Sequence, residues 1–142
     1  MLKQILFGGE SGLSFAANAG LTLLRIFAGV ALMASHGLGK MPPSEQFVQG
    51  TAEMGFPLPT LFAWSAALSE FLGGALLALG FLTRPASFFI ACTMLVAAFG
   101  QHFNDPFGKK ELALIYLFIA VCFLLKGAGD WSVDAFLRKR NY

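Results

Sequence analysis

The chain has 142 residues, of which 56% are hydrophobic and only 13% charged, with a formal net charge of +2 and sixteen phenylalanines. Soluble domains carry about 25% charged residues, so this composition, with a mean hydropathy of +0.67, excludes an ordinary soluble domain and points to an integral membrane protein. The small net charge gives no footing for nucleic acid, and the length allows one domain, taken as residues 1–142.

Residues 1–17 carry Lys3 and a short apolar run broken by Gly8-Gly9-Glu10-Ser11. A signal peptide needs an unbroken apolar core before its cleavage site. The segment is therefore expected to stay attached and lie at the membrane interface.

The first predicted span, about residues 18–39, has the length a bilayer core requires. It contains Arg25 and His36, eleven residues or about three helical turns apart, so both fall on one face, which Lys40 continues. Ala31, Ser35 and Gly39 form a row of small residues suited to close helix packing.

Residues 41–59 form a polar connection. Pro42-Pro43 stops the first helix. Ser44 is placed to cap a short helix, with Glu45 in its first turn. Phe47 and Met54, seven residues apart, would rest that helix on the membrane surface.

The second predicted span, about residues 60–82, contains one carboxylate, Glu70. Ala66, Glu70, Gly74 and Ala78 share a stripe of small residues, so Glu70 is expected to face another helix and not lipid. An ionisable group inside a span marks a partner, a cavity or a substrate path. Arg25 is the expected partner. Together Arg84, Arg25, Glu70 and His36 are expected to form a polar lane through the bundle, with Lys40 snorkelling at its edge. The Arg25–Glu70 pair serves equally well as an ion pair fixing helix register or as part of a site.

Thr83-Arg84-Pro85 reads as a tight turn with Thr83 as cap, followed by a third span over about residues 85–101. A polar loop leads to a fourth, about residues 111–126. After Gly127-Ala128-Gly129, Asp130 or Ser132 caps a tail helix lying in the interface, with Asp134 capping or pairing with the basic tail. Cys92 and Cys122 lack CxxC spacing and are read as small buried hydrophobes, and His36 alone is a poor metal constellation, so no metal site is signalled. The fold class is thus all-α: a four-transmembrane-helix bundle with short interfacial helices at the first loop and the C-terminus. Four spans put both termini on one side, with six basic residues there against Lys40, Lys109 and Lys110 opposite. The positive-inside rule makes that side cytoplasmic.

These residues, in this order, resemble the DoxX family of small four-helix membrane proteins over about residues 23–136. The signposts are Leu23-Leu24-Arg25, His36-Gly37-Leu38-Gly39-Lys40-Met41, Gly55-Phe56-Pro57, Glu70-Phe71-Leu72-Gly73-Gly74, Gly80-Phe81-Leu82-Thr83-Arg84 and Gly127-Ala128-Gly129-Asp130-Trp131-Ser132-Val133-Asp134. The family's usual Gly-Pro-Gly reads Gly-Ala-Gly here. The resemblance implies a bacterial inner-membrane protein whose polar positions are Arg25, His36, Lys40, Glu70, Arg84 and Asp134, with relatives that are membrane parts of quinone-linked or oxidative-stress and thiol redox assemblies.

Three functions are expected on these grounds. The first is an oxidoreductase component that binds quinone through Arg25, His36, Lys40 and Arg84. In it Glu70 exchanges protons and a soluble redox partner, or a thiol or sulfur donor, supplies electrons. The second is a small-solute or proton transporter, which four short spans would serve best as a homo-oligomer. The third is a scaffold docking a soluble enzyme through residues 131–142.

Overall fold

The computed structural model describes residues 8–9 and 11–140; the expectations resting on Lys3, on the start of the N-terminal segment and on the last two residues of the tail lie outside them. Among the described residues the chain is all-α, with six α-helices: α1 (Phe15–Leu32), α2 (Glu45–Glu53), α3 (Pro59–Leu79), α4 (Thr83–Val96), α5 (Phe107–Lys126) and α6 (Val133–Arg140). Two of them run on through non-α turns. A π-turn, Met33–Gly37, and a 3₁₀ turn, Leu38–Lys40, extend α1, and a second π-turn, Ala97–Gln101, extends α4.

Among the described residues three helices are long and apolar enough to cross a membrane: Phe15–Lys40, Pro59–Leu79 and Thr83–Gln101. The expected fourth, α5, has 20 residues, but Lys109, Lys110 and Glu111 near its start and Lys126 at its end keep it out of that set. Large apolar side chains cover the outside, among them Phe27, Phe89 and Phe118 at 74%, 59% and 70% exposure. Such an outer surface suits lipid and not water.

The helices pack in the order α1–α3–α4–α5, with α2 against α3. Leu32, Leu77, Ile90, Met94, Leu117 and Phe123 form the core. The small-residue stripe on α3 does what its spacing demands. A Cβ on Gly29 would lie 2.5 Å from the Gly74 carbonyl oxygen, and one on Gly74 would lie 2.8 Å from that of Gly29, so α1 and α3 cross backbone to backbone. Further along, Gly37 rests on the backbone of Glu70 and Phe71.

Several helix ends obey local chemistry, and the start of α4 does not. Ser14 Oγ accepts from Ala17 N–H and starts α1, and Ser44 Oγ accepts from Phe47 N–H and starts α2 as expected. α3 stops at Leu79 and not at residue 82, because Gly80 takes φ +67° and the Gly80 and Phe81 N–H groups bond back to Leu77 and Leu76, a Schellman arrangement. Thr83 does not cap α4; Leu82, in the left-handed region at φ 48°, precedes it, and the Asp134 carboxylate accepts from the N–H groups of Leu82 and Thr83 at 2.8 and 3.0 Å. A distant carboxylate thus supplies the negative charge a helix start favours, while Ser132 caps α6 by accepting from Ala135 N–H.

Candidate functional site

The polar residues form two clusters at opposite ends of the bundle, not the continuous lane expected. Arg25 and Lys40 are separated by fifteen residues of α1 and its extension, about 22 Å of helix rise.

At the end where the described N-terminal segment meets the tail, Arg25 is 2% exposed. It donates to the Trp131 carbonyl at 2.9 Å and the Leu77 carbonyl at 3.5 Å, and it feels the charge of Asp134. It does not pair with Glu70. Instead it ties the end of α3 to the tail, and Asp134 ties the tail to the start of α4. Next to them Asn18 accepts from Asp130 N–H and donates to the Asp130 carboxylate, which also accepts from Leu13 N–H. These bonds, the Asn18 amide first, hold Asp130 below the usual carboxylate range. The tail is therefore stitched to both the N-terminal segment and the α3–α4 turn. Arg84 donates to the Leu125 carbonyl at 2.9 Å, joining α4 to the end of α5. Arg25, Arg84 and Asp134 belong to this structural knot.

At the other end, Glu70 is 2% exposed and its partner is Lys40. Axial position decides the partner: Gly29 lies against Gly74, and Gly37 against Glu70 and Phe71, so Arg25 stands level with the end of α3 while the residues after Gly37 stand level with Glu70. With Gly37 seated on the α3 backbone, the extension carries Lys40 to the carboxylate, where its Nζ lies 2.8 and 2.7 Å from the two oxygens. Lys40 therefore does not simply snorkel. Its Nζ also stands 5.6 Å above the centre of the Phe47 ring, within cation–π range.

The pair borders a cavity of about 170 Å³ between α2, α3 and α4. Phe47, Met54, Phe56, Phe62 and Val96 make it apolar; Thr51, Thr93 and Gln101 add polar atoms. Thr93 donates to Ser69 at 2.9 Å. Phe62 and Val96 are partly exposed and Cys92 is exposed, so this wall opens sideways between α3 and α4. Both cysteines, read from sequence as buried, face outward; in a chain with a lipid-facing exterior, apolar character does not signal burial. On the α5 side Tyr116 feels the charge of Glu70 and meets the His36 ring edge to face at 6.0 Å. His36 thus borders the site through Tyr116.

Sequence reading missed Thr51, Cys92, Thr93, Gln101 and Tyr116. It also laid Phe47 and Met54 on the membrane surface, whereas both face the cavity. The 47–51–54 spacing does mark one helical face, but nothing local says what that face meets. Among the described residues no three His, Cys, Asp or Glu side chains come together as metal ligands would.

The DoxX family model matches residues 20–102, which takes in most of α1, all of α2 to α4, both π-turns and both members of the Lys40–Glu70 pair. Three curated relatives are similar over most of their length. Putative oxidoreductase CatD of Bacillus subtilis (strain 168) is 30% identical over 121 residues, covering 84% of this chain and 88% of that one. Inner membrane protein YphA of Escherichia coli (strain K12) is 37% identical over 128 residues, 84% and 91% of the two chains. Inner membrane protein YqjF of the same organism is 32% identical over 130 residues, 87% and 95%. The chain belongs to the DoxX family. No solved structure matches it.

Proposed function

We propose that this chain is the inner-membrane component of a quinone-linked oxidoreductase, and that the cavity beside Lys40 and Glu70 takes the quinone head. The observation that carries this reading is a nearly buried carboxylate, paired with a lysine, at the wall of an apolar cavity that opens sideways between two apolar helices. Ligand pockets for whole drug-sized molecules run to about 300–1,000 Å³. A cavity of about 170 Å³ suits a single ring whose tail stays in the lipid. Two of the relatives carry inner-membrane names and one an oxidoreductase name.

In this reading α5 is the fourth span. Its 20 residues make about 30 Å of helix, the thickness of a bilayer core, and its charges sit at the ends, where they reach headgroups. Both termini then face the cytoplasm, as the excess of basic residues on that side supports. Lys40 donates a hydrogen bond to a ring carbonyl, and Glu70 passes protons. Reduction of a quinone to the quinol takes two electrons and two protons; two thiols of a soluble donor supply them on becoming a disulfide. The scaffold alternative loses ground, because Trp131 and Asp134 of the proposed docking tail are already engaged within the chain.

The test is solvent extraction of the protein purified in mild detergent, with mass spectrometry for bound quinone. Wild type and Arg25→Lys are expected to carry it near stoichiometrically, and Lys40→Met and Glu70→Gln to lose most of it. Equal quinone in all four, or none above detergent background in any, would sink the assignment.

A further inference from the structure

The cavity has a second neighbour. A groove of about 680 Å³ lies between α2 and the π-turn Ala97–Gln101, at the end of the bundle away from the termini. Its lining is largely polar, with Ser44, Gln46, Gln49 and Gln101 beside one carboxylate, Glu53, which accepts from the Gln49 amide at 3.2 Å. Phe47, Thr51, Met54 and Gln101 line both the groove and the cavity. These four side chains form a wall common to both spaces. Within it the Thr51 hydroxyl donates to the Phe47 carbonyl at 2.9 Å, and Met54 Sδ lies 3.5 Å from where a Cβ on Gly100 would be. Facing the groove on α2, Gly50 leaves open space: a Cβ there meets nothing within 4 Å.

We infer that the groove beneath α2 is an aqueous entrance, through which water and small hydrophilic solutes reach Glu70 from the compartment opposite the termini. This rests on the proposed function and deepens it. A lipid-soluble ring comes in from the side between α3 and α4, and protons are exchanged through the groove. The two reactants thus approach the carboxylate from different phases. Amide, hydroxyl and carboxylate groups on the groove wall are all readily hydrated, which suits a water-filled passage.

Cys92 reports directly, because it lines the cavity and not the groove. In a Cys122→Ser background it is the sole thiol of the chain. A charged methanethiosulfonate that cannot cross lipid reacts with thiolate, which forms where water reaches. In proteoliposomes, the reagent added on the face away from the termini is expected to label Cys92, and reagent on the terminal face is not. Gly50→Trp, which fills the open groove, is expected to slow labelling at least about tenfold, with Gln46→Trp giving a second block should the first variant fold poorly. The melting temperature and the extracted quinone are expected to stay as in the parent.

Labelling that neither block slows, labelling from the terminal face, or reaction only with a lipid-permeant maleimide would overturn the entrance. Those results would leave quinone content untouched, so the failure of this route and the failure of the quinone assignment are separable.

Discussion

Lys40 holds both oxygens of Glu70, at 2.8 and 2.7 Å, across thirty residues of sequence. Removing one partner of a buried pair costs about 3–5 kcal/mol. The Lys40 side chain is 34% exposed, so solvent screens the interaction and Lys40→Met is expected to cost nearer about 2 kcal/mol. Lys40→Met combined with Glu70→Gln is expected to recover most of that loss, because the buried charge is gone. Thermal unfolding in detergent checks both; a double variant no more stable than Lys40→Met would show that the lysine acts through packing on Phe47 instead.

The crossing of α1 and α3 makes an independent forecast. A methyl group at Gly29 or Gly37 would collide with the α3 backbone, and backbone cannot swing aside as a flexible side chain can. Gly29→Ala and Gly37→Ala are each expected to destabilise by about 1–3 kcal/mol. Gly20, on the same helix, has open space around it, and Gly20→Ala is expected to stabilise by about 0.5–1 kcal/mol. The sign difference between sites of one helix is read from melting curves.

Arg25 and Asp134 act as one device holding the tail. Arg25→Met removes charge-assisted bonds to two carbonyls and is expected to cost about 3 kcal/mol. Asp134→Ala uncaps α4 and also releases the tail. Both variants are expected to expose residues 127–139 to protease, and their combined cost is expected to fall short of the sum, since each frees what the other holds. Full additivity would separate the two contacts.

Asp130 sets a pH dependence at the same end. Its bonds to Asn18 and Leu13 favour the ionised form and lower its pKa. A carboxylate with a depressed folded pKa contributes stability that is complete above the unfolded value, about 3.9, and is lost as pH falls through the folded value. Amide-exchange protection of residues 11–18, corrected for intrinsic rates, is therefore expected to hold from about pH 6 to about pH 4 and to fall below it. Asn18→Leu is expected to weaken protection at neutral pH and flatten the acid loss. An acid loss of the same size in that variant would assign the effect to another carboxylate.

Much of the architecture was legible in advance because its signals are local. Apolar length marked the helices, and Ser44 was read as the cap that starts α2, whereas the ends set by Ser14 and Gly80 were not read. The small-residue stripe of Ala66, Glu70, Gly74 and Ala78 put Glu70 inward. The partner of Glu70 was not legible. Pairing Arg25 with Glu70 assumed that the two lie at one depth in the bundle, but it is Gly37 that is pressed against the Glu70–Phe71 backbone, twelve residues beyond Arg25. The depth at which two helices cross is set by their mutual contact, and no local pattern announces it.

By itself, the sequence determined that this is an all-helical membrane protein, which stretches are apolar, and that Glu70 is turned away from lipid. Composition and helical period act along a single chain, so they survive without a neighbour. Only the tertiary structure decided that Lys40 and not Arg25 neutralises Glu70, that Asp134 caps a helix fifty residues away, and that α2 stands between the cavity and a groove. Each of those depends on where one helix lies against another, a relation between distant parts of the chain that no local pattern carries.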